Sequence, residues 1–289
     1  MLRRTFVLGV GTSLLTVPFL AAEKSAPLVI AVMDPFALDL ACSCVKGFSQ
    51  RKYNVLAGHL RGELGRPVTC VFSGSLRPTF SKSPTGRIDL VIGKDDVVRH
   101  EARSFKLEIE PLAKLTDLEG KTTHHGVFVV EKSDPAQTLG DLASYKILFG
   151  PEYSAERRIE PVKMLRSCGV TVPDKPDFRV SDKDAALEIL DNEDPDTRIC
   201  ATLSAHALKL MEGCQTIEKG ALRLLEQTPE VPFITVFAAK TLGQEAVKKI
   251  RNSLFTFGKN EKNLAALESK SGFVAYEEKG IGNRESGIE

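Results

Sequence analysis

Short apolar runs and amphipathic stretches take turns along this chain. Near-continuous apolar runs at residues 27–33 (PLVIAVM), 68–72 (VTCVF), 88–92 (IDLVI), 126–130 (GVFVV), 198–202 (RICAT) and 232–238 (PFITVFA) read as strands, the longest of them covered on both faces, with a further strand at 107–112. Between them, apolar residues recur at helical spacing over 54–64 (NVLAGHLRGEL), 185–190, 205–211 and 244–257, and a short helix is expected at 138–144. The first of these helices carries a regular stop signal, Gly65 directly after it and Pro67 just beyond. Strand and helix alternating in this way predict an α/β protein with mainly parallel sheets.

One junction carries chemistry. In ILFGPEYSAERRIEPVKML, residues 147–165, the run Ile147, Leu148, Phe149 ends a strand, and Ile159, Val162, Met164 and Leu165 mark an amphipathic helix. Ser154 is the natural N-cap between them. A strand running into a serine-capped helix leaves backbone N–H groups and the positive end of a helix dipole at the carboxyl edge of a sheet, a place that suits an anion. Tyr153, Ser154 and Ala155 are the candidates there, against the plain alternative that Ser154 only caps its helix. Other strand ends offer Asp34, the pair Ser73 and Ser75 in FSGSL, Lys94 after IDLVIG, and Ser204 after RICATL. Lys94 matters most among these, because a cation at a strand end offsets an anion's charge; a solvated helix-start lysine is its alternative.

The first 22 residues, MLRRTFVLGVGTSLLTVPFLAA, change the setting. Two arginines, an apolar core broken by Gly9 and Gly11, and small residues before Glu23 make an export signal, too short and glycine-rich for a membrane span. Arg3 and Arg4 followed by Thr5, Phe6 and Val7 resemble the twin-arginine class. The expected location is therefore the periplasm or another extracytoplasmic space. The 289-residue chain has 39 Lys+Arg against 38 Asp+Glu, and a balance this close to neutral points away from nucleic acid and acidic membrane surfaces. Six cysteines, Cys42, Cys44, Cys70, Cys168, Cys200 and Cys214, would meet an oxidising compartment. No nucleophile-and-base motif, metalloprotease motif or phosphate-binding glycine loop is legible, so an enzyme is not expected.

The segments LAGHLRGELGRPV, IDLVIGKDDV, GVFVVEKSDPAQTLGDLASYKILFG and VPFITVFAAKTLGQEAVKKIRNSLFTF, in that order, resemble the type II periplasmic solute-binding proteins, and most closely their phosphate/phosphonate-binding branch. The resemblance implies two α/β lobes joined by two crossing strands, near 126–130 and 232–236. Lobe one would comprise 27–127 and 233–275, lobe two 128–232, and 276–289 would be a flexible tail. It further implies a monomer that captures phosphate, phosphite or a phosphonate in the interlobe cleft for an ABC permease in the inner membrane. The ligand residues would be Tyr153, Ser154, Ala155, Lys94, Ser73, Ser75 and Ser204. Leu203 stands where the family often has an acidic residue serving amine-bearing ligands, which argues against an aminoalkylphosphonate.

The departure from the family is residues 34–53, DPFALDLACSCVKGFSQRKY, long and polar, with Cys42 and Cys44 beside Lys46, Arg51 and Tyr53. Two thiols so placed could ligate a soft metal ion, act as a redox pair, or each bridge to a distant cysteine such as Cys200 or Cys214. A metal- or redox-handling protein on the same scaffold is thus the second reading, with no cofactor expected under the first. A ligand sensor reporting to a membrane kinase is the third. His124 and His125, adjacent on a strand, must point to opposite faces, and a hinge-surface role is expected for both.

Overall fold

The computed structural model describes residues 26–41 and 50–277. Strands β1 (Leu28–Met33), β2 (Val68–Phe72), β3 (Leu90–Lys94) and β4 (Ile109–Leu115) begin one sheet; β5 (Thr123–His124) leads to β6 (Gly126–Glu131), β7 (Lys146–Leu148), β8 (Ile199–Ser204) and β9 (Leu222–Gln227) in another. The chain returns through β10 (Val231–Pro232) to β11 (Ile234–Ala239) and β12 (Phe273–Ala275). Among the described residues the first sheet has the order β12-β4-β11-β3-β1-β2 and the second β7-β8-β6-β9, with β5 and β10 pairing alone between them. These are the two lobes of the expected architecture.

Alternation along single strands assigns each lobe two cores. Leu28, Ile30 and Val32 of β1 pack with Tyr53, Leu56 and Leu60 of α1 (Tyr53–Leu64). Its intervening Ala31 and Met33 turn the other way, onto Leu76 of α2 (Leu76–Lys82) and Val98 and Ala102 of α3 (Asp95–Ser104). In the second lobe Val127 and Val129 of β6 meet Ala185 and Ile189 of α5 (Asp182–Leu190) and Met211 of α6 (Ala205–Gly213), while Phe128 and Val130 face Leu142 and Leu165, the latter on α4 (Glu160–Ser167). Apolar burial on both faces of a sheet explains why these strands read as unbroken apolar runs. The long helix expected at 244–257 is α7 (Gln244–Phe257), and α8 (Glu261–Ala266) follows it. Gly65 closes α1 in the left-handed conformation, at φ 62°.

Several expectations need correction. The sheets are mixed rather than mainly parallel. β1 pairs in parallel with β2 and β3, and β7 with β8, but β11 and β12 return antiparallel, as do β6 and β9. An element returning from the other lobe enters the first sheet from the opposite end, which a count of alternating elements cannot reveal. Likewise, residues 126–130 and 234–236 are sheet members, and the crossing lies beside them, in the two-residue ladder of His124 with Val231 and Thr123 with Pro232. Tyr276, expected to open a flexible tail, is anchored: its hydroxyl accepts from Arg99 at 2.9 Å and the Lys114 ammonium lies over its ring. Among the described residues Cys70, Cys168, Cys200 and Cys214 are free cysteines. Cys200 is fully buried in β8, and burial pushes its thiol well up from its usual range. Cys42 and Cys44 lie outside the described residues. The ends of their segment are tied down by Asp34, whose carboxylate accepts from Arg51 at 2.9 Å and from the Tyr53 hydroxyl.

Candidate functional site: the interlobe cleft

Parallel pairing puts the carboxyl ends of β1, β2 and β3 on one edge, and the ends of β7 and β8 on the facing edge of the second lobe. Backbone N–H groups of the following helices converge at such edges. β3 ends in Lys94, which is also the residue before α3, and β8 ends in Ser204, the residue before α6. The chain leaving β7 forms a wide turn of π-helix, Ala155–Ile159, before continuing as α4. Both Arg158 and Ile159 donate to the Ser154 carbonyl there. The extra residue in this turn shifts the phase of the pattern, so Ile159 is exposed while Glu156 and Arg157 are buried.

Glu156 is the centre of the cleft. Its side chain has 0% exposure, and donors from two other segments and from its own turn converge on its carboxylate. Lys94 Nζ and Ser204 Oγ, the latter at 2.8 Å, donate to Oε1; Ser154 Oγ donates to Oε2 at 3.0 Å. His124 Nε2 stands 3.9 Å from Oε2. Burial works to raise the Glu156 carboxyl, but the Lys94 charge and its hydrogen bonds overcome it and hold the group well below the usual carboxylate range. The hinge packs tightly against this turn: a Cβ on Gly126 would lie 2.1 Å from the Glu156 carbonyl oxygen, so only glycine lets β6 approach.

Of the residues expected from the sequence, Lys94, Ser154 and Ser204 are thus brought together, and the other four are not. Ser154 occupies the N-cap position but makes no capping bond, because its hydroxyl is turned to Glu156. The Ala155 N–H donates to Asp96 Oδ2 at 2.9 Å, and the Tyr153 ring stacks on His100 with centroids 3.9 Å apart. Ser73 and Ser75 bond locally: the Ser75 N–H reaches Ser73 Oγ at 3.4 Å, and the Ser75 carbonyl accepts from Thr79. The N–H of Leu76, at the start of α2, donates to Glu101 Oε2 at 2.9 Å, and that of Ser204 to Asp182 Oδ1 at 2.8 Å. Lys94 is not a solvated lysine; its side chain is 14% exposed.

Behind the carboxylate lies an aromatic group the sequence reading missed. His124 and His206 sit with their ring centroids 5.8 Å apart, both against Phe233, and Phe36 meets His206 and Phe233 edge-on. His124 is 8% exposed, which corrects its expected surface role; His125 does turn outward, to Glu230 at 3.2 Å. Both ring nitrogens of His124 and Nδ1 of His206 are buried without a hydrogen-bond partner among the described residues. Burial lowers both imidazoles, that of His124 to about 3 against the opposing pull of the Glu156 charge, so both are neutral at pH 7. The signal that could have found His206 is its place one residue into a helix that starts at a strand end, beside Ser204.

Two mixed α/β lobes, joined by a two-strand crossing and meeting over a polar cleft at their strand ends, define the class of the two-lobed type II periplasmic binding proteins. Solved structures with this fold include XAC2383 from Xanthomonas citri bound to ATP, at 15% identity and TM-score 0.62, covering 88% of this chain and 92% of that one. A binding-protein component of an ABC phosphonate transporter from Pseudomonas aeruginosa aligns at 17% identity and TM-score 0.62, over 87% and 82%. PhnD1 from Prochlorococcus marinus in complex with methylphosphonate aligns at 18% identity and TM-score 0.61, over 88% and 93%. No curated protein sequence matches the chain. The sequence profile of the family described as ABC transporter, phosphonate, periplasmic substrate-binding protein matches residues 48–279, and the chain belongs to that family.

Proposed function

We propose that this protein is the extracytoplasmic receptor of an ABC importer and captures a small oxyanion, phosphate, phosphite or a phosphonate, between its lobes. The observation that carries this reading is the convergence of Lys94, Ser154 and Ser204, from both lobes, on a single carboxylate carbon. Three donors held around one anionic group form a cradle for an oxyanion, with charge-assisted hydrogen bonds to each oxygen. Capture would proceed by closure about the crossing ladder, since only the closed state supplies contacts from both lobes. We place the lobe boundary at that ladder, with residues 1–22 as the export signal, a twin-arginine route suggested by Arg3 and Arg4, and a monomer delivering to an inner-membrane permease.

The test is a thermal-shift series on the mature protein after removal of copurified ligand by unfolding and refolding. A ligand present at about 100 times its Kd adds about 2.7 kcal/mol. For a protein of this size that is roughly 5–10 °C. Millimolar phosphate, phosphite or methylphosphonate should produce such a shift, and sulfate a smaller one. If none of these moves the midpoint, the reading fails.

A further inference from the structure

The cradle described above already holds an anion, and that anion belongs to the chain. Both oxygens of Glu156 are satisfied, Oε1 by Lys94 and Ser204 and Oε2 by Ser154, with His124 the next nearest polar group. The remaining anion-attracting groups of the cleft are engaged in the same way. Asp96 takes the Ala155 N–H, Asp182 takes the Ser204 N–H and lies 3.1 Å from Arg157 Nε, and Glu101 takes the Leu76 N–H. Four carboxylates of the chain thus stand where the donors of the two facing edges would meet a ligand.

We propose that Glu156 is a built-in surrogate for the ligand's oxyanion, closing the cleft without ligand and leaving its cradle when an anion binds. The inference rests on the oxyanion reading above and adds the competition. Lys94 comes from the first lobe and Glu156 from the second, so their ion pair is itself a closing contact, continued by Asp96 to Ala155 and by His100 stacked on Tyr153. An incoming anion that shared the site with Glu156 would put two negative charges around one lysine in a buried setting. The ligand therefore competes with a tethered carboxylate, and its apparent affinity is reduced by the fraction of molecules whose cradle is vacant. If that fraction is about one in a hundred, removing the carboxylate raises affinity about a hundredfold. The unpartnered Nε2 of His124, 3.9 Å from Glu156, is placed to donate to a tetrahedral anion, which has one oxygen more than a carboxylate in a phosphonate and two more in phosphate.

The experiment compares the wild-type mature chain with Glu156→Ala and Glu156→Gln, each stripped of ligand. Small-angle scattering reads closure without ligand, and calorimetry with inorganic phosphate and methylphosphonate reads affinity. The expected result is a compact wild type, a larger radius of gyration for both variants without ligand, and a gain in affinity of at least tenfold. Variants as compact as wild type that bind no more tightly would overturn the proposal, as would wild type binding either anion as tightly as the variants do. Should the variants open while no form binds either anion, Glu156 is the closing group and the oxyanion reading is what fails. Glu156→Gln nearly preserves side-chain volume, so it decides the matter if Glu156→Ala does not fold.

Discussion

Two buried polar groups share this cleft, and they differ in how they are satisfied. Around Glu156 both carboxylate oxygens have a donor, and the charge is matched by Lys94. A few ångströms away, His124 and His206 lie against Phe233 with three ring nitrogens unpaired. The difference follows from charge. A buried carboxylate without partners would cost several kcal/mol, whereas a neutral imidazole tolerates an apolar wall at the lesser cost of a lost hydrogen bond. The carboxylate side therefore contributes to holding the lobes together, and the histidine side is a reserve of donors and acceptors.

The largest effect should come from breaking the satisfied side. Lys94→Ala leaves Glu156 buried without its counter-charge, and such a truncation costs about 3–5 kcal/mol. Denaturant unfolding at pH 7 should show a loss of that size, largely recovered in a Lys94→Met, Glu156→Leu double variant that removes both charges. A loss below about 0.5 kcal/mol, the range of ordinary surface substitutions, would mean the pair is not what fills the cleft.

The histidine side should reveal itself with acid. The folded-state value of His124 is depressed to about 3, while an unfolded histidine titrates near 6.5, so between these limits the unfolded chain binds the extra proton and stability falls as pH falls. By pH 5 that amounts to about 2 kcal/mol for His124, and His206 adds in the same direction. His124→Leu should flatten the decline between pH 7 and 5 measured by chemical denaturation. A decline as steep as that of wild type would show that the imidazole is not held neutral.

Asp96 runs the opposite way and is weaker. Burial and the nearby Glu156 charge raise it to about 6, against about 3.9 in an unfolded chain, so its contribution is fully present below pH 4 and lost as pH rises through 6. Asp96→Asn should therefore match wild type near pH 4 and exceed it above pH 7, by about 1 kcal/mol once partial solvent screening is allowed for. Equal stability at both pH values would refute this. The smallest change is Ser154→Ala, which removes one hydrogen bond to Glu156 and should lower stability by about 1 kcal/mol. Were Ser154 a capping residue instead, Ser154→Asp would be as stable as wild type. Because its carboxylate would crowd Glu156, Ser154→Asp should instead be less stable than Ser154→Ala.

Much of the frame was legible in the chain. Periodicity located β2 and α7 to the residue, and the glycine and proline after α1 marked its end. The same logic placed Lys94, Ser154 and Ser204 at strand-to-helix junctions, where a fold of this class directs them to one edge. Tyr153, Ala155, Ser73 and Ser75 were chosen on the same ground and are otherwise engaged. A junction residue's place in the sequence does not say which partner, the His100 ring, the Asp96 carboxylate or a neighbouring hydroxyl, will reach it first.

The sequence by itself determined the alternating elements and their α/β class, and set Lys94, Ser154 and Ser204 among seven candidates at strand-to-helix junctions, because burial of apolar faces leaves a periodic trace that is local. What only the tertiary structure decided is what those donors hold. Glu156 sits in a polar run, AERR, with nothing to mark it as buried, and its partners Lys94 and Ser204 are 62 and 48 residues away. A charge is tolerated inside a protein only where such distant groups converge. That convergence depends on the pairing of whole sheets and on one glycine, Gly126, that lets the crossing segment press against the turn.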